Sequence, residues 1–162
     1  MSWLPSVAVL LLSIIGQATV VPYLAVFGAQ PDFVVTAVML IGLVGGEGAG
    51  GLYGVAAGLC LDVWRGRQIG LIALGYGVAG YLAGLVGARV YPGRAGVRFL
   101  AAVAGTVVAQ GIILGLYRAS HGLVDWSAVE RTVAVQALYD GVLAVVAYPL
   151  MIRLRGGVAP TP

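Results

Sequence analysis

Apolar residues run through almost the whole chain, and short segments rich in proline, glycine or charge interrupt them. An apolar helix needs about 20 residues to cross a bilayer, so the interruptions predict an all-α integral membrane protein with a six-helix transmembrane bundle. Residues 1–155 are expected to form a single polytopic domain, and residues 156–162 a disordered tail. The predicted spans cover about residues 3–27, 33–45, 50–64, 69–91, 97–117 and 128–152.

The first three predicted spans carry signals that disturb a regular helix. Pro22 is expected to kink or end the first span. The glycine-rich segment from Gly45 to Gly51 predicts a flexible break between the second and third spans. The third span would then be roughly 22 Å long, shorter than a hydrocarbon core of ~30 Å. Either these two spans thin the bilayer or one of them is partly re-entrant.

Small residues recur at every fourth position along the third span and the connection after it. Glycines at i and i+4 give a membrane helix a flat face on which another helix can pack closely. A short connection makes the third and fourth spans antiparallel neighbours, so their small faces can meet. The predicted helix-packing motif contains Gly50, Gly54, Gly58, Asp62, Gly66 and Gly70, with Gly77, Gly80 and Gly84 on the fourth span.

Composition and charge agree with the membrane class. Charged residues make up 9% of the chain and the mean hydropathy is +1.01, whereas a soluble domain carries about 25% charged residues. The net charge of +3 comes from arginine alone. The arginines lie singly or in pairs between apolar runs, as interfacial anchors do, and this disfavours nucleic acid as a partner. A small excess of arginine on one side predicts that both termini are cytoplasmic.

Polar residues inside the predicted spans are the candidates for chemistry. Asp140 is the deepest acid, and an intramembrane carboxylate is a functional candidate by default. The alternative is a hydrogen-bonded group inside the bundle, paired with Gln110, a tyrosine or an arginine. Gln136 is a further intramembrane polar residue in the sixth span.

The remaining acids favour roles at helix ends. Asp32 follows Pro31 and is expected to cap the second span. Asp62 either pairs with Arg65 or makes a helix-cap bond to the loop before the fourth span. Ser127 begins a capping box, so the last helix is expected to start there.

Residues for catalysis or cofactor binding do not form a recognisable set. The single histidine lies in a predicted loop and the single cysteine in an apolar span, which disfavours a catalytic triad and a metal site. The chain has neither a P-loop nor the multi-aspartate magnesium motif of lipid head-group transferases. We therefore expect no enzymatic activity and no cofactor.

Motifs between residues 31 and 84 resemble those of one known membrane family. They are Pro31-Asp32, then Gly54-Val-Ala-Ala-Gly58-Leu59-Cys-Leu61-Asp62 with Gly66 and Gly70-Leu71, and finally Gly80-Tyr81-Leu82-Ala83-Gly84. This pattern is similar to that of the bacterial rod shape-determining protein MreD family. The resemblance implies a fold like that of the S components of energy-coupling-factor transporters.

The resemblance also implies a role and partners. Such proteins are non-enzymatic scaffolds of the cell-wall elongation complex in the bacterial cytoplasmic membrane. They bind MreC and act with a RodA-type glycosyltransferase, a penicillin-binding transpeptidase and, indirectly, MreB filaments, among membrane lipids. Two other functions stay open: a vitamin-binding transporter subunit and a membrane-embedded lipid enzyme. The absence of a small-x-x-x-small pair between Val7 and Leu24 disfavours the first, and the scarcity of acids disfavours the second.

Overall fold

Six α-helices make up the described part of the computed structural model, which comprises residues 3–24, 29–66, 69–90, 94–121 and 126–154. These residues contain no β-strand, so the predicted all-α class is confirmed. The predicted tail at 156–162 lies outside the described residues. The helices are α1 (Trp3–Thr19), α2 (Phe33–Gly45), α3 (Glu47–Arg65), α4 (Leu71–Arg89), α5 (Ala95–His121) and α6 (Trp126–Leu154), with a 3-10 helix at Val21–Leu24.

Three of the described helices are long and apolar enough to cross a membrane by length and composition. They are Leu71–Arg89 in α4, Ala95–Ser120 in α5 and Val129–Arg153 in α6. The apolar parts of α1 and α2, Leu4–Thr19 and Phe33–Gly45, are shorter.

α2 lies at the centre of the bundle and packs against each of the other five helices. Ten of its 13 residues are buried, and it is apolar on every side, as a helix enclosed by others must be. Around it, α3 packs on α4, α4 on α5 and α5 on α6, while α1 packs mainly on α2 itself. The core is therefore built around the shortest of the six helices.

α1 ends at Thr19, well before the end of the predicted first span. Proline has no amide hydrogen and disfavours the α conformation in the residue before it, which explains why the helix ends before Pro22. The chain instead turns in a 3-10 helix, where the amide of Tyr23 donates to the carbonyl of Val20 at 3.0 Å. Residues 25–27 of the predicted span lie outside the described residues.

The predicted flexible break from Gly45 to Gly51 is wrong. Gly46 alone separates α2 from α3, and its φ of +86° lies in a region that requires glycine. The Gly46 amide donates to the carbonyl of Gly42 at 2.8 Å, and its own carbonyl accepts from the amide of Gly50 at 3.0 Å. α3 is consequently 19 residues long, or about 28 Å, and the expectation of a short third helix is also wrong.

α3 and α4 approach so closely that their backbones touch. The contact residues on α3 are Gly50, Gly54 and Gly58, which face the backbones of Gly80, Tyr76 and Ala73 in that order. A Cβ atom added at any of the three glycines would lie less than 3.0 Å from that backbone, a separation that real Cβ atoms essentially never show. This packing explains why α3 stays helical despite its glycines, since the tertiary contact outweighs their weak helix propensity.

α4 contributes its own glycines to the same interface. A Cβ at Gly84 would meet the backbone of Glu47, and one at Gly77 would meet the side chain of Val55 within 3.0 Å. Gly42 of α2 approaches the carbonyl of Gly80, which brings a third helix into the contact.

Two glycines of the predicted packing motif have a different position. Gly66 and Gly70 lie in the turn between α3 and α4 with φ of +60° and +105°, and a Cβ at either would meet nothing within 4 Å among the described residues. They are required by the backbone conformation of the turn and not by helix packing. α6 begins at Trp126, one residue before the predicted start at Ser127.

We expect Gly58→Ala to lower the free energy of unfolding by about 1–3 kcal/mol, because the added methyl group must push α3 away from Ala73. Gly111→Ala is the matched control, since a Cβ there meets nothing within 4 Å of the described chain. Unfolding in detergent, followed by circular dichroism, measures both. Equal stability of the two variants would contradict the backbone contact.

Candidate functional site: buried aspartates at helix ends

Asp32 caps α2 and is 4% exposed. Its extended backbone, with φ of −110° and ψ of 93°, follows Pro31 and turns the chain into the helix. Its Oδ1 accepts hydrogen bonds from the amides of Val34 at 3.1 Å and Val35 at 3.0 Å. These are amides that a helix start leaves without an intrahelical acceptor.

The other polar groups of Asp32 connect α2 to two further helices. Its Oδ2 accepts a hydrogen bond from the hydroxyl of Tyr76 on α4. Its backbone amide donates to Oδ1 of Asp140 on α6 at 2.7 Å. Asp32 is therefore a junction of three helices, and every one of these contacts is buried.

Asp140 is fully buried and accepts from two helices. In addition to the Asp32 amide, the hydroxyl of Thr106 on α5 donates to its Oδ2 at 2.8 Å. The expected partners Gln110, a tyrosine or an arginine are wrong for the described residues, because a backbone amide and a threonine already occupy both carboxylate oxygens. Gln110 instead donates to Gln136 at 3.3 Å, one turn farther along the same pair of helices.

Gln17 adds α1 to this layer, which the sequence reading missed. Its Oε1 accepts from the amide of Phe33 at 2.8 Å, and its Nε2 donates to the carbonyl of Pro31 at 3.4 Å. The sequence feature that could have indicated this role is an amide side chain in the last turn of a mostly apolar helix. With it, five helices meet at one polar layer, defined here as the Asp32 network: Gln17, Asp32, Tyr76, Thr106 and Asp140.

Asp62 forms the second polar cluster, at the corner between α3 and α4. Gly70 is the N-cap of α4 and has no side chain with which to cap it. Asp62, at the end of the preceding helix and fully buried, accepts from the amides of Gly70 at 2.8 Å, Ile72 at 3.2 Å and Ala73 at 3.3 Å. Of the two roles expected for Asp62, the structure shows the cap across the connection.

The chemical capacity of these carboxylates is limited by their partners. All four oxygens of Asp32 and Asp140 accept hydrogen bonds from the protein itself. The described residues also contain no group of three or more acidic, histidine or cysteine side chains that could hold a metal ion. The arrangement therefore suits a cross-link between helices better than a reacting group.

A cavity of about 250 Å³ lies beside the Asp32 network, between α1, α2 and α6. Its lining is apolar except for two hydroxyls. Ser13 donates to the carbonyl of Val9 at 2.8 Å, and the buried Oγ1 of Thr36 has no hydrogen-bond partner among the described residues. Because no charged side chain lines it, the cavity is suited to a hydrocarbon chain and poorly suited to a polar vitamin.

We expect Asp140→Ala to lower the free energy of unfolding by about 2–6 kcal/mol, because the Asp32 amide and the Thr106 hydroxyl would both be buried without an acceptor. Asp140→Asn keeps one acceptor oxygen and should cost less. Leu138→Ala, at a residue 55% exposed on the same helix, is the control. Unfolding in detergent measures the series, and an alanine variant as stable as the control would contradict the network.

Comparison with known proteins identifies the family. The chain matches the family described as rod shape-determining protein MreD over residues 1–155. No curated protein and no solved structure matches it significantly. The matched range includes the α3–α4 glycine contact and both aspartate clusters, and the chain belongs to the MreD family of rod shape-determining membrane proteins.

Proposed function

We propose that this protein is a non-enzymatic scaffold of the cell-wall elongation complex, where it binds MreC and supports peptidoglycan synthesis and rod shape. The MreD family is a shape-determining family and is not known for enzymatic activity. The proposal is supported above all by the hydrogen bonds that the buried acids accept. Asp32, Asp62 and Asp140 all accept hydrogen bonds from backbone amides at helix starts. A molecule whose buried acids all hold helices together is suited to presenting a fixed surface.

We further propose that all six helices cross the bacterial cytoplasmic membrane as one domain, with both termini in the cytoplasm. The three long apolar helices support this topology, as do the short connections that force neighbouring helices to run antiparallel. An arrangement like that of the S components of energy-coupling-factor transporters belongs to the same proposal. The apolar lining of the cavity favours a scaffold over a vitamin-binding subunit.

The glycines of α3 and α4 do not form the surface for a partner, because they already pack against the opposite helix.

The glycines Gly111 and Gly115 on α5 do not pack against another helix of the described chain. Both are exposed, they are spaced at i and i+4, and a Cβ at either would meet nothing within 4 Å among the described residues. Ala104 and Val107, also exposed, extend this face along the helix. We propose this face of α5 as the docking surface for the transmembrane helix of MreC, since glycines so spaced permit close helix contact.

MreC would connect the scaffold to the rest of the complex. The expected further partners are a RodA-type glycosyltransferase and a penicillin-binding transpeptidase, with MreB filaments beneath the membrane. No nucleic acid takes part in this proposal.

We expect Gly111→Leu combined with Gly115→Leu to reduce co-purification of MreC by at least about tenfold, because the large side chains keep the partner helix at a distance. The bundle has room for them, so unfolding in detergent should stay near that of the wild type. Gly48→Leu, at an open and exposed glycine of α3, is the matched control. Unchanged recovery of MreC with the double variant would refute this surface.

We expect Asp140→Asn to preserve rod shape and recovery of the complex, because an amide oxygen can still accept from the Asp32 amide. Complementation of a strain lacking the protein, scored by cell width and by pull-down of MreC, tests this expectation. Loss of shape with full recovery of the complex would instead assign Asp140 to a proton or ion path and argue against a purely structural network.

A further inference from the structure

Arg98 is a nearly buried cation near the start of α5, with an exposed fraction of 9%. The carbon of its guanidinium lies 4.2 Å from the centre of the Tyr148 ring on α6. This is the only side-chain interaction of Arg98 among the described residues, and its buried Nε has no hydrogen-bond partner there. No salt bridge joins Arg98 to an acidic side chain among the described residues.

The guanidinium of Arg98 therefore lacks both a counter-ion and hydrogen-bond acceptors among the described residues. It carries a permanent charge and five N–H donors, and a buried charge without an anion is strongly unfavourable. The ring of Tyr148 stabilises the face of the guanidinium but accepts none of the N–H groups at its edge. Those edge groups match two oxygens of a phosphate or carboxylate, which arginine binds in parallel.

Further positive charge lies at the same end of the bundle. Arg89 is in the last turn of α4, Arg94 directly precedes α5, and Arg153 is in the last turn of α6. All three side chains are exposed, and Glu47 is the acid that the described chain places at this end. This end of α5 is also a helix N-terminus, which favours an anion.

We propose that Arg98 and the N-terminus of α5 form a binding site for the phosphate of an acidic phospholipid. Arg98 lies three residues inside the apolar span Ala95–Ser120, or about 5 Å along the helix, so its side chain can reach the layer of the lipid phosphates. The surrounding arginines select a headgroup with net negative charge over a zwitterionic one. An inorganic phosphate would satisfy the same donors, so the experiment separates the two sources.

The full-length protein, purified and delipidated in a neutral detergent, is titrated with phosphatidylglycerol, phosphatidylcholine or inorganic phosphate, and bound lipid is measured by native mass spectrometry. The wild type should bind phosphatidylglycerol at least about tenfold more tightly than phosphatidylcholine, and inorganic phosphate should not displace it. Arg98→Gln should lose at least about tenfold in affinity, the effect of removing a charge-assisted bond. Arg131→Gln, at an exposed arginine near the start of α6, should bind as the wild type does.

Equal binding of the two lipids by the wild type would overturn the proposal. Because this comparison needs no variant, the proposal stays testable even if Arg98→Gln fails to fold. Displacement of the lipid by inorganic phosphate would overturn the assignment to a lipid. Full affinity of a folded Arg98→Gln protein would overturn the role of Arg98. Loss of MreC recovery in that variant, without a change in lipid binding, would assign the guanidinium to a carboxylate of a partner protein.

Discussion

The hydrogen bonds that carboxylates accept from the first amides of the helices are the interaction on which this structure depends. A helix start exposes amides that no residue of the same helix can accept from, and in hydrocarbon there is no water to replace that acceptor. Asp32 supplies it for α2, and Asp62 supplies it for α4. Asp140 then accepts from Asp32's own amide and thereby fixes the cap to α5 and α6. The first turns of α2 and α4 are thus capped by side chains from within the bundle.

The close glycine contact and the aspartate caps depend on each other. Asp62 is on α3, and the three amides that donate to it are on α4 and in the turn before it. A carboxylate has a short side chain, so it can reach these amides only if the two helices nearly touch at that level. Gly58 lies one helical turn from Asp62 and permits that approach, because only a hydrogen atom separates its backbone from Ala73. Widening the helix contact would therefore also weaken the cap.

Local patterns in the sequence were sufficient to predict the all-α class, the six helices and the contact between the small faces of α3 and α4. The partners of Asp140 could not be predicted, because it bonds to a backbone amide 108 residues earlier, and a backbone amide leaves no trace in residue identity. The uninterrupted start of α3 also could not be predicted from the sequence. Glycine propensity favours a break at Gly45–Gly51, and only the contact with α4, a tertiary effect, reverses that preference. Gln17 was missed because a lone amide in an apolar helix carries no periodic signal.

The single-residue connection at Gly46 also constrains how this sequence can vary. Loops between helices ordinarily accept insertions and deletions. Here one extra or missing residue would rotate α3 by about 100° relative to α2 and turn Gly50, Gly54 and Gly58 away from α4. Substitution can alter the exposed positions of α3, but the number of residues from Gly42 to Gly58 is fixed by the geometry of the corner. Chain length, and not only residue identity, therefore decides whether the helices of this hairpin can meet.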